Sequence, residues 1–120
     1  MKKAFCCVLF CAWTLAADSA DFTAGMSNGR GWRKFPNEMK IAYIAGIYDA
    51  AKVLSMICKE AGFLGGTTTG QTVQALDGFY TDGLNGSITV VGAMRYLERK
   101  SQGATEEELR KMISDLRAGG

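Results

Sequence analysis

Apolar positions recur at helical spacing through most of the chain beyond residue 36. Between residues 38 and about 61, Ile41, Ile44, Tyr48, Ala51, Leu54 and Cys58 closely follow an i, i+3, i+4, i+7 pattern. The polar residues there narrow to a stripe through Asp49, Lys52, Ser55 and Lys59. A helix apolar on most of its circumference is expected to be the central, most buried one. Asn37 is its expected N-cap and Glu38 suits the first turn. Pro36 blocks extension backwards, and Gly62 offers a stop.

Three further helices follow. Thr69 caps a second over about residues 70–80, with Val73, Leu76, Phe79 and Tyr80 as its apolar face. Ser87 caps a third, which runs to about residue 101 with a seam of Val90, Val91, Met94 and Leu97. The β-branched run at residues 88–91 also suits a strand, but helix is preferred because no partner strand is evident. Gly103 ends that helix. Thr105 with Glu108 forms a capping box, with Glu106 and Glu107 favouring the helix dipole. Leu109, Met112, Ile113 and Leu116 then make the apolar stripe of a fourth helix. The fold class read from this is all-α, a compact bundle of about four helices in a domain spanning residues 37–117. Residues 18–36 read as an irregular lead-in rich in Gly, Ser and Asn, tethered to the domain by Trp32 and Phe35.

The N-terminus has a different pattern. Lys2 and Lys3 precede 14 residues, 4–17, that are apolar except for Thr14. That run is short for a membrane span, which needs about 20 apolar residues. A charged start, an apolar stretch and small residues at the exit describe a cleaved export signal over residues 1–17. Cleavage after Ala16, Ala17 or Ala20 fits. The expected location is therefore periplasmic or secreted, with no stable membrane insertion after cleavage.

Cleavage after Ala17 changes the composition. Of 120 residues, 103 remain; Lys2 and Lys3 leave the 14 basic residues, the 12 acidic ones stay, and the net charge falls from +2 to zero. A neutral domain offers no basic surface for nucleic acid. Cys6, Cys7 and Cys11 leave with the signal, so Cys58 alone remains and no intramolecular disulfide can form. On the apolar face of its helix, Cys58 reads as a small buried hydrophobe. The chain has no His, which removes Ser-His and Cys-His pairs, imidazole bases and ordinary zinc sites.

What remains gives little support to an enzyme. Gly29-Arg30-Gly31 lacks the preceding strand of a phosphate loop. Thr67 to Thr69 have no base nearby to activate them. Nothing in the sequence brings Asp49 and Asp77 together as an acid–base pair. They read as structural polar residues, one accepting a bond from a backbone amide or from Tyr43 or Tyr80 and so pinning two helices. No catalytic, cofactor or metal residues are assigned. The candidate partner-binding residues are Arg30, Trp32 and Arg33 in the lead-in, and Tyr96 with Arg99 on the third helix, since aromatic and Arg side chains are enriched at interface hot spots. A homodimer is compatible with these features.

The ordered set of Asn28-Gly29-Arg30-Gly31-Trp32, Lys40-Ile41-Ala42-Tyr43-Ile44-Ala45-Gly46-Ile47-Tyr48-Asp49-Ala50, Thr69-Gly70-Gln71-Thr72-Val73, Leu76-Asp77-Gly78-Phe79-Tyr80 and a closing Gly103-Ala104-Thr105-Glu106-Glu107 resembles a broad group of small exported bacterial helical proteins. More loosely it is similar to the Rap1a/Tai-type immunity domain of type VI secretion. The likeness spans about residues 28–117. It implies a periplasmic all-α domain that binds a protein partner, inhibits a toxin in the immunity case, and does no chemistry. Those immunity domains usually carry several stapling cysteines, which this mature chain lacks. A second expectation, from a different class, is an envelope or acid-stress holdase that exposes apolar surface. Without His, its acid switch would titrate carboxylates, below about pH 5.

Overall fold

The computed structural model describes residues 19–58 and 67–119. The expected export segment 1–17, the expected Gly62 stop and the Cys58 side chain lie outside what is described. The described residues open with a 3₁₀ turn at Ser19–Asp21 and a short antiparallel hairpin, β1 (Phe22–Thr23) and β2 (Met26–Ser27). Five α-helices follow: α1 (Gly29–Lys34), α2 (Asn37–Cys58), α3 (Thr69–Phe79), α4 (Val90–Ser101) and α5 (Glu106–Ala118). A second 3₁₀ turn, Gly83–Asn85, links α3 to α4. The architecture is an all-α bundle.

The lead-in is ordered where an irregular segment was expected. Its hairpin turns at Ala24 and Gly25, which both take positive φ, 50° and 77°; two such central residues are what a tight two-residue hairpin requires. Asn28 then caps α1, accepting the Arg30 and Gly31 amides on its side chain. The short polar residues that signalled a loop make these local bonds.

Helix caps follow the expected chemistry with shifted positions. Thr68, not Thr69, caps α3 through a box with Gln71. Thr89, not Ser87, caps α4. Pro36, not Asn37, holds the cap position of α2, its carbonyl accepting from Met39 and Lys40 amides at 3.0 and 3.1 Å. The run at residues 88–91 forms no strand: Thr89 makes one isolated antiparallel bridge with Asn28, and the helix begins at Val90. The Thr105/Glu108 box of α5 is present as expected. Gly103, at φ +82°, ends α4 with its own amide on the Lys100 carbonyl and the Ala104 amide on the Arg99 carbonyl, the paired closure that a left-handed residue permits.

The core gathers Trp32, Ile44, Val73, Leu76, Tyr80, Ile88, Val90, Ala93 and Met94. It draws on α3, α4 and the turn between them more than on α2, which overturns the expectation that the long helix is central. Among the α2 side chains described, only Ile44 is buried. Tyr43, Ile47 and Tyr48 pack on the core from its edge, while Ile41 and Leu54 are exposed. Helical periodicity identified the apolar positions, but Trp32 from the lead-in occupies the centre and α2 packs against α3.

Candidate functional site

The densest polar arrangement surrounds the Asn28–Trp32 segment. Asn28 is fully buried and uses all its side-chain groups. Its Nδ2 donates to the Ala20 carbonyl at 2.9 Å and to Thr23 Oγ1 at 3.1 Å. Its Oδ1 accepts the Arg30 and Gly31 amides at 3.0 and 3.3 Å. Thr23 Oγ1 in turn donates to the Ser87 carbonyl at 2.6 Å. One buried amide thereby joins the 3₁₀ turn, the hairpin, α1 and the approach to α4. Gly29 lies so close to Tyr80 that a Cβ there would overlap its ring, and it would stand 3.1 Å from the Asn85 carbonyl oxygen. Only glycine lets α1 start against that ring.

Trp32 is the central side chain of the core at 0% exposure. Its ring is edge-on to Tyr43 and also meets Phe35 and Tyr80. Its Nε1 donates to Asp77 Oδ1 at 2.8 Å, and Lys40 Nζ donates to the same oxygen at 2.6 Å. Lys40 also lies 5.3 Å from the Trp32 ring centre, within cation–π range. Asp77 therefore ties α3 to α1 and α2, using an indole and an ammonium where a tyrosine hydroxyl or backbone amide was expected. Tyr80 instead donates to the Ile88 carbonyl at 3.0 Å. Burial raises the Tyr80 phenol well above its ordinary pKa; Tyr43 adds to the shift and Arg33 opposes it. Burial raises Tyr43 as well.

The candidate contact residues separate in this setting. Trp32 faces the core, so its surface is spent on packing. Arg33 donates to the Tyr80 carbonyl from Nε at 3.0 Å and Nη2 at 2.8 Å, closing the end of α3. Arg30 is exposed and reaches the Ala20 carbonyl at 3.0 Å. On α4, Tyr96 is half-buried with its ring 5.3 Å from Phe79, whereas Arg99 is exposed. Tyr96 and Arg33 thus contact neighbouring residues at the end of α3, the Phe79 ring and the Tyr80 carbonyl. Asp49 is exposed on α2, and its carboxylate makes no hydrogen bond or ion pair among the described residues. The threonines act as helix-end ligands: Thr68 caps α3, and Tyr48 hydroxyl meets Thr67 and Thr72 at 3.1 and 2.6 Å.

Sequence reasoning missed three contributors. Lys40 carried no assigned role in the sequence. Asn85 and Arg117 had no assigned role either, Arg117 being the last residue of the expected domain. Arg117 donates from Nε and Nη2 to Asn85 Oδ1 at 3.1 and 2.7 Å, and from Nη2 to Asp82 Oδ2 at 3.0 Å. It fastens the last turn of α5 to the α3–α4 connection. No pattern in the sequence pairs residues 32 positions apart; the Asp82-Gly83-Leu84-Asn85 turn cluster was the one available signal.

With its polar groups committed to the fold, the least explained surface is the solvent side of α2. Met39, Ile41, Val53, Leu54 and Met56 are 49, 42, 55, 59 and 76% exposed. At 100° per residue, Met39, Val53 and Met56 fall within about 100° of one another on the helix. Among the described residues no group of three potential ligands could hold a metal, and no helix is long and apolar enough to cross a membrane. No protein-family model, curated protein or solved structure matches the chain.

Proposed function

We propose that this chain is an exported, periplasmic helical domain that binds a protein partner and performs no catalysis, in the manner of an immunity protein. The observation that carries this reading is the apolar solvent side of α2. Scattered single apolar residues on a surface are ordinary, but a set sharing one helix face suits a partner interface. Methionine at two of these positions adds an adaptable, polarisable contact. The loose similarity to the Rap1a/Tai-type domain agrees with the reading in fold class and in the expected compartment.

The test pairs the wild type with Val53→Glu/Met56→Glu. Both positions are exposed, so the double variant should keep its circular dichroism and Tm. Capture from an envelope extract should recover a stoichiometric partner with the wild type and lose it with the variant. Equal recovery by both, or none by the wild type, overturns the proposal.

The same exposed methionines favour one other reading, a stress holdase that covers unfolded clients. Aggregation of a client protein followed at neutral and acidic pH separates the two. A holdase suppresses aggregation without a defined partner; no suppression at either pH removes it.

A further inference from the structure

The exit of the expected export signal offers breaks after Ala16, Ala17 and Ala20, and the sequence leaves all three open. The fold separates them. The Ala20 carbonyl accepts Asn28 Nδ2 at 2.9 Å and Arg30 Nη1 at 3.0 Å. Asp21 accepts the Asn28 backbone amide at 3.0 Å, and its carboxylate pairs with Lys34 at 2.8 Å. Ser19 and Ala20 also form the first two residues of the 3₁₀ turn. We infer that the mature chain retains Ser19 and Ala20, so that the signal peptidase cut falls after Ala16 or Ala17 and not after Ala20.

The physical reason lies at Asn28. Its amide is buried, and a buried donor that loses its acceptor bears the full desolvation penalty. A cut after Ala20 removes that acceptor and dismantles the turn. It also makes the Asp21 nitrogen a charged ammonium. That nitrogen was bonded to the Ala20 carbonyl carbon, so the new charge stands within roughly 5 Å of the Arg30 guanidinium, an unfavourable like-charge approach. A cut at Ala16 or Ala17 leaves every one of these bonds in place and puts the new terminus ahead of the turn.

This inference rests on the export reading, and one experiment distinguishes their failures. The full 120-residue chain is expressed in a bacterial host with a general secretion pathway, and the exported product is analysed by intact mass and N-terminal sequencing. The expected product begins at Ala17 or Asp18. A product beginning at Asp21 overturns the assignment of the cut while leaving export standing. A chain that keeps residues 1–17 and stays in the cytoplasm overturns the export reading, and the assignment with it.

Discussion

Replacing Asn28 by Ala tests whether one buried amide holds the lead-in on the bundle. The substitution deletes four side-chain hydrogen bonds, but the partners fare differently. Ala20 carbonyl keeps Arg30, Thr23 hydroxyl keeps the Ser87 carbonyl, and the Arg30 amide keeps the Gly86 carbonyl at 3.2 Å. The buried Gly31 amide is left with no other partner among the described residues. Stranding it costs about 1–3 kcal/mol, and loss of an N-cap costs about 0.5–2 kcal/mol. These overlap, so the expected total is about 2–4 kcal/mol, or roughly 10–25 °C in Tm for a domain of this size. Asn28→Ser should fall between, because a hydroxyl restores the cap without the arm to Ala20. Urea and thermal melts followed by circular dichroism measure both. A loss below about 0.5 kcal/mol for Asn28→Ala would refute the reasoning.

Other substitutions probe separate contacts. Gly29→Ala should destabilise by about 1–3 kcal/mol through overpacking against the Tyr80 ring, and a melt unchanged from wild type would show that the ring moves away freely. Tyr80→Phe loses one hydrogen bond, about 0.5–1.5 kcal/mol, while the Ile88 carbonyl keeps the Gly29 amide. Because the folded Tyr80 pKa is raised, its contribution is present below about pH 10 and lost as pH rises above it; alkaline melts should show a smaller pH slope in the Phe variant. The Glu108 carboxylate is held below its ordinary pKa by its bonds to the Thr105 backbone amide and hydroxyl. Its contribution is therefore present above about pH 4.3 and fades as pH falls through the lower, folded value. Glu108→Gln, which can still accept the Thr105 amide, should flatten the acid limb of the stability curve.

Much of the helical framework was legible. The capping box at Thr105 and Glu108, the stop at Gly103 and the apolar stripes of α3, α4 and α5 are local signals, readable within one or two turns of chain. The caps at Thr68 and Thr89 differed by one or two residues from the expected Thr69 and Ser87, because neighbouring hydroxyl residues compete for one role. What the sequence hid is long-range. Trp32 reaches Asp77 from 45 residues away and Arg117 reaches Asn85 from 32, and no periodicity encodes either pairing. The centrality of α2 was misjudged for the same reason. Its apolar circumference is visible in the sequence, but which side meets a neighbour depends on Trp32 having taken the centre. Among the surface candidates Trp32 is buried and Arg33 bonds the Tyr80 carbonyl, while five of the exposed large apolar residues, Met39, Ile41, Val53, Leu54 and Met56, lie on α2.

Site-specific photo-crosslinking in the envelope tests the binding claim most directly. A photoactivatable side chain at position 53, compared with position 99 on α4, reports which face meets a partner. The proposed function predicts a discrete adduct from position 53, formed with one envelope protein, and none from position 99. Adducts from position 99 alone, or no adduct from either, would contradict it.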